Sequence, residues 1–66
     1  MRKWNGQKLK IARRKRLLKQ RKLEKKMNVA KGLVSKWESG KEPSLGNQEQ
    51  LAEILGTNDF FEEVKE

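Results

Sequence analysis

Four residues near the middle of the chain could do chemistry on a nucleic acid: Lys31, Gly32, Ser35 and Lys36. Placed on a helix at 100° per residue, they share one side. Val34 and Trp37 fall on the other side, with Ala30 beside them. The first side holds no acid and no large apolar group. Such a helix can pack Val34 and Trp37 on a scaffold and turn its lysines to a groove. There a lysine can donate to guanine O6 and N7, and Ser35 to a base or a phosphate. Leu33 lies on the flank, where it could touch a thymine methyl.

Other chemistries are excluded by what is missing. The chain has no Cys and no His. A thiolate, a disulfide, a zinc site and an imidazole acid–base group are therefore all absent. Sixty-six residues leave little volume in which to bury a reactive carboxylate or lysine. The chain is not expected to be an enzyme, and no cofactor or metal is expected. No apolar run reaches the roughly 18 residues that would span a bilayer. The basic N-terminus lacks the apolar stretch of a signal peptide. The expected location is the cytoplasm or the bacterial nucleoid, with a phage origin included.

Charge is distributed unevenly. Residues 1–41 carry sixteen Lys/Arg against two acids, Glu24 and Glu38, a local charge of +14. Residues 42–66 carry one Lys against seven acids, a local charge of −6. A basic half of this density attracts a polyphosphate surface through counterion release. The acidic tail must point away from that surface or face another partner.

The elements that position the four residues follow from periodicity and punctuation. A first helix is expected over about residues 7–16, with Leu9 and Ala12 on one face, and a second over about 19–26, with Leu23 and Met27. Asn28 marks a left-handed turn. A third helix spans residues 30–38, of which 31–38 would enter the groove. Ser39-Gly40 closes it, and Pro43 blocks any continuation. A fourth starts with Asn47 as N-cap and Gln50 three residues on. It carries Leu51, Ile54 and Leu55, and stops at Gly56. A last helical turn over about residues 59–64 carries Phe60, Phe61 and Val64. Trp4 is expected to pack on the first helix. No strand alternation is evident. The expectation is one all-α domain of four to five short helices over residues 1–66, ordered over about 6–64. A short second helix, a turn and a third helix within about four residues make helix-turn-helix spacing.

The chain resembles the helix-turn-helix family of phage Cro and repressor proteins, with the lambda-repressor-like fold. The matching residues are Leu18-Lys19-Gln20, Leu23, Met27-Asn28-Val29, Val34 through Lys41, Pro43-Ser44-Leu45 and Leu51 through Gly56. The resemblance implies a DNA-binding transcriptional regulator of repressor type. It implies phosphate contacts for Lys19, Gln20, Gly40 and Lys41, and base-reading positions for Lys31, Gly32 and Lys36, with Ser35 beside them. It also implies a structural salt bridge between Arg13 and Glu38. The chain departs from the family at Glu24, where Ala is favoured, and at Leu17 and Asn28, where Gly is favoured. Leu17 suggests a different end to the first helix. Gly32 stands where a long polar reader is common, and Gln48 and Glu49 replace frequent leucines.

Two partner alternatives stay open. The basic face could instead dock on an acidic protein, as an inhibitor or antirepressor does, or bind RNA or a membrane surface through charge alone. One of the adjacent Phe60 and Phe61 rings must point away from the core. With Val64 it is a candidate homodimer contact on the C-terminal helix.

Overall fold

The computed structural model describes residues 1–65. The chain runs β1 (Arg2–Trp4), α1 (Gly6–Lys15), α2 (Gln20–Met27), α3 (Leu33–Glu38), α4 (Leu45–Leu55) and β2 (Phe61–Glu63). The four helices surround a core in which Leu9, Leu23, Val34, Trp37, Leu51 and Phe60 are no more than 2% exposed. The first five lie on the inward faces of their helices, and Phe60 enters from the segment just ahead of β2, so one buried cluster ties all the helices together.

Helix ends explain most of the local geometry. The Asn5 side chain caps α1, accepting from the Gln7 amide at 2.9 Å. Ser44 caps α4, accepting from the Asn47 amide at 3.3 Å. The expected cap at Asn47 is thus corrected. Ser44 follows Pro43 in an extended conformation, with ψ 160°. That places its hydroxyl over the first turn and makes Asn47 a donor inside the helix.

Three helices end in the same pair of hydrogen bonds around a left-handed residue. In α1, Leu17 N–H reaches Arg14 O at 2.9 Å and Leu18 N–H reaches Arg13 O at 3.2 Å. In α2, Asn28 reaches Lys25 O at 3.2 Å and Val29 reaches Glu24 O at 3.1 Å. In α3, Gly40 reaches Trp37 O at 3.2 Å and Lys41 reaches Lys36 O at 3.0 Å. The left-handed residues have φ of 56° at Leu17, 57° at Asn28 and 122° at Gly40. The expectation that Leu17 alters the end of α1 is therefore corrected. The left-handed turn is kept, and a leucine occupies it.

Two further expectations change. The third helix starts at Leu33, because Gly32 has φ 89° and ψ −8°. Lys31 and Gly32 therefore lie in the turn ahead of α3, and Gly32 weakens no helix interior. The C-terminal segment is also not helical. Residues Phe61–Glu63 pair antiparallel with β1, setting Arg2 opposite Glu63, Lys3 opposite Glu62 and Trp4 opposite Phe61. Opposite charges placed directly across a sheet favour that register. The ion pair of Lys8 with Asp59 at 3.0 Å adds to it. These tail acids face the N-terminal strand and helix of their own chain.

Trp4 extends the packed unit to the N-terminus. It is 4% exposed and lies 5.6 Å, centroid to centroid, from both Phe60 and Phe61. Phe60, at 1% exposure, is closed to any partner. Phe61 is half-buried, with its ring edge-on to Trp4 and the Arg2 guanidinium over it at 5.0 Å. The candidate dimer contact on a C-terminal helix is thereby corrected. The helix is a strand, and its two rings are engaged within the chain. Of the three residues named for it, only Val64 is exposed.

Candidate nucleic-acid interface

The outward side of α3 is short and polar. Val34 and Trp37 are buried at 0% and 2% exposure, while Ser35 and Lys36 point to solvent. Lys31 is exposed in the preceding turn, and Gly32 is half-buried there. Ser35 and Lys36 thus lie on α3 itself, whereas Lys31 and Gly32 approach from its amino end.

Buried charges hold α3 in place from both ends. At its carboxyl end, Arg13 Nε donates to Glu38 Oε2 at 2.6 Å, and Arg13 Nη1 donates to Leu18 O at 2.6 Å. The side chains of this pair are only 9% and 6% exposed. Gln20 Nε2 donates to Glu38 Oε1 at 3.0 Å. Gln20 therefore fastens α2 to α3, with its carbonyl oxygen left for another partner. At the amino end, Glu24 reaches across from α2. Its Oε2 accepts from Gly32 N–H at 2.9 Å and from Val34 N–H at 3.1 Å. The Arg21 guanidinium lies 3.6 Å from its other oxygen. A carboxylate where the family favours Ala is therefore a satisfied group. No buried side-chain nitrogen or oxygen among the described residues lacks a hydrogen-bond partner.

The amino end of α2 differs from the other three. Side chains bond to the first amides of α1, α3 and α4, but Lys19, the N-cap of α2, makes no side-chain cap bond. Amides left free in that way, next to an exposed lysine, suit an anion. Nearby, Gln7, Lys10, Gln20, Ser35, Glu38 and Ser39 bound a polar depression of about 330 Å³. Gln7 and Lys10 were not singled out from the sequence, where the lysines of α1 look alike. Helical spacing could have separated Lys10 from them. It lies four residues after Gly6 and three before Arg13, both of which face α3.

The loop after α3 is tied back onto the helix. The amides of Gly40 and Lys41 are both used by α3 carbonyls. The Lys41 side chain remains exposed.

The electrostatic result is simple. Both acids of residues 1–41 turn inward, with side chains 3% exposed at Glu24 and 6% at Glu38. The surface made by α2, α3 and the loop to Lys41 therefore displays lysine and arginine without an opposing carboxylate.

Two short helices joined by a tight turn, the second with its apolar side on the core and a basic side outward, define a helix-turn-helix protein. A family model described as helix-turn-helix matches residues 9–59. The chain belongs to that family, which includes the Cro-like and repressor-like regulators, and it is by class a DNA-binding regulatory domain. No curated protein and no solved structure matches it. No helix among the described residues is long and apolar enough to cross a membrane.

Proposed function

We propose that the protein is a repressor-type regulator that sets α3 and the Lys31–Gly32 turn into the major groove of duplex DNA. Lys36 and Lys31 donate to base edges, most naturally guanine O6 and N7, and Ser35 donates to a base or phosphate beside them. Lys19 and the open amino end of α2 hold one phosphate, with Gln20 alongside. The Lys41 side chain holds another, and Lys10 approaches the same strand. Binding would act by covering promoter sequence. The observation that carries this reading is the inward turn of Glu24 and Glu38, which leaves α2, α3 and the loop to Lys41 with no exposed acid of their own.

In a rival reading the basic face docks on an acidic protein. Glu24 and Gly32, two departures from the family that would suit such a reading, both have structural roles at the start of α3 and so do not favour it. Salt titration of duplex binding tests the DNA reading. Three to five phosphate contacts predict a log–log slope of about −3 to −5. A slope near zero overturns it. Selection from random duplexes should enrich a single motif, and the motif's symmetry reports whether one or two copies bind.

A further inference from the structure

We infer that Glu24 is a positioning residue for base readout, acting as the N-cap that α3 lacks in its own sequence. The inference rests on the DNA-binding reading above. Gly32, at the N-cap position, has no side chain to offer, and Ala30 and Lys31 before it carry no acceptor. An uncapped α3 of six residues would fray from its amino end. Glu24 supplies the missing acceptor from the neighbouring helix. One oxygen takes the amides of Gly32 and Val34 together, at 2.9 Å and 3.1 Å. These two bonds bracket Leu33 and fix the left-handed turn at Gly32. The turn in turn sets where Lys31 emerges relative to Lys36. Glu24 is itself held by burial, at 2% exposure, and by Arg21 at 3.6 Å. Its charge offsets the positive end of α3. It also occupies amides that a phosphate would otherwise approach, so the contact to DNA at this end falls to the Lys31 side chain. The spacing between two base readers is thus set by a residue that touches no DNA.

The test uses the full chain as wild type, Glu24→Gln and Glu24→Ala. Glutamine keeps the shape and removes the charge, so it remains informative if the alanine variant does not fold. Amide hydrogen exchange is measured on the free protein, with Leu51 in α4 as internal control. Glu24→Gln should speed exchange at Gly32 and Val34 roughly tenfold relative to Leu51, the scale of a charge-assisted bond reduced to a neutral one. The ratio of affinities for a selected duplex over a scrambled one should fall by about the same factor. Affinity for the scrambled duplex should hold or rise, because a negative charge has left the basic side. A merely structural role would speed Leu51 equally and lower both affinities together, and that result overturns the inference. So does unchanged exchange at Gly32 and Val34, or discrimination that survives both variants. A wild-type protein without salt-dependent duplex binding overturns the DNA reading itself, and is recognised because it appears before any substitution.

Discussion

The indole nitrogen of Trp4 donates a 2.8 Å hydrogen bond to the carbonyl oxygen of Trp37, across 33 positions of sequence. This bond joins the N-terminal strand to the last turn of α3. It adds a second, shorter bond to a carbonyl that also accepts from Gly40 N–H in the turn closing α3. The strand is held in turn by β2, so the acidic C-terminal segment reaches α3 through Trp4.

Trp4→Phe keeps an aromatic ring against Phe60 and removes the donor. The Trp37 carbonyl still accepts from Gly40 N–H at 3.2 Å, so it is not orphaned. The expected cost is about 1–2 kcal/mol, from the lost bond and the smaller ring. In a domain of this size that lowers Tm by about 5–15 °C. Thermal unfolding followed by circular dichroism measures it. An unchanged Tm would mean that the bond contributes nothing net.

Gly6 and Gly46 make an opposed pair. A Cβ on Gly6 would lie 2.3 Å from the Glu38 carbonyl oxygen and 2.6 Å from that of Trp37, both backbone atoms. Neither can rotate away. Gly6→Ala should therefore cost about 3 kcal/mol or more. That is comparable with the whole stability of a core this small, about 3–5 kcal/mol. Gly46 lies in α4 with nothing within 4 Å of a Cβ. Gly46→Ala should stabilise by about 0.5–1 kcal/mol. Urea unfolding of both variants decides it, and equal effects would contradict the close approach of α1 to α3.

What the sequence made legible was local. Val34 and Trp37 at helical spacing located the inward side of α3, and Asn28, Gly40 and Gly56 marked helix ends because their conformational preferences act on their own backbone. What it hid was non-local. Phe61 and Val64 fit a helical turn as well as a three-residue strand, and only the distant Arg2–Trp4 segment decides between them. Glu24 looked misplaced because its partners are amides eight and ten residues away, and a main-chain donor leaves no mark on residue type. The start of α3 was misplaced for the same reason. Gly32 is compatible with a helix interior until a neighbouring carboxylate captures its amide.

Leu17 is a conformational misfit that can be relieved. Its φ is 56°, and its side chain is 92% exposed, so it gains little packing in return. A left-handed conformation costs a non-glycine residue about 1–2 kcal/mol. Glycine removes that cost but loses about 0.5–1 kcal/mol through the freedom of its unfolded chain. Leu17→Gly should therefore stabilise by roughly 0.5–1 kcal/mol, raising Tm by about 2–8 °C. Leu17→Ala, which keeps the strain, should not. Parallel melting curves would separate the two, and an equal rise in both would point to loss of the exposed leucine instead.

Lys31, Lys36 and Lys41 should respond differently to removal, because their backbones are held differently. Lys36 is fixed on α3, Lys31 on the turn braced by Glu24, and Lys41 on the loop whose amides close the helix. A base contact is worth about 1–3 kcal/mol of discrimination. Lys36→Ala and Lys31→Ala should each relax preference at a separate base position and lower the specific-to-scrambled affinity ratio about tenfold or more. Together they should abolish preference while leaving salt-sensitive binding. Lys41→Ala should weaken selected and scrambled duplexes alike and reduce the salt slope by about 1. Fluorescence anisotropy at several salt concentrations, on duplexes carrying each single base change, reads all three. If Lys31→Ala and Lys36→Ala lower every affinity uniformly, the two lysines lie on phosphates. The base-reading side would then have to be rotated about α3 toward Ser35 and Ser39, across the depression that Lys10 and Gln20 border.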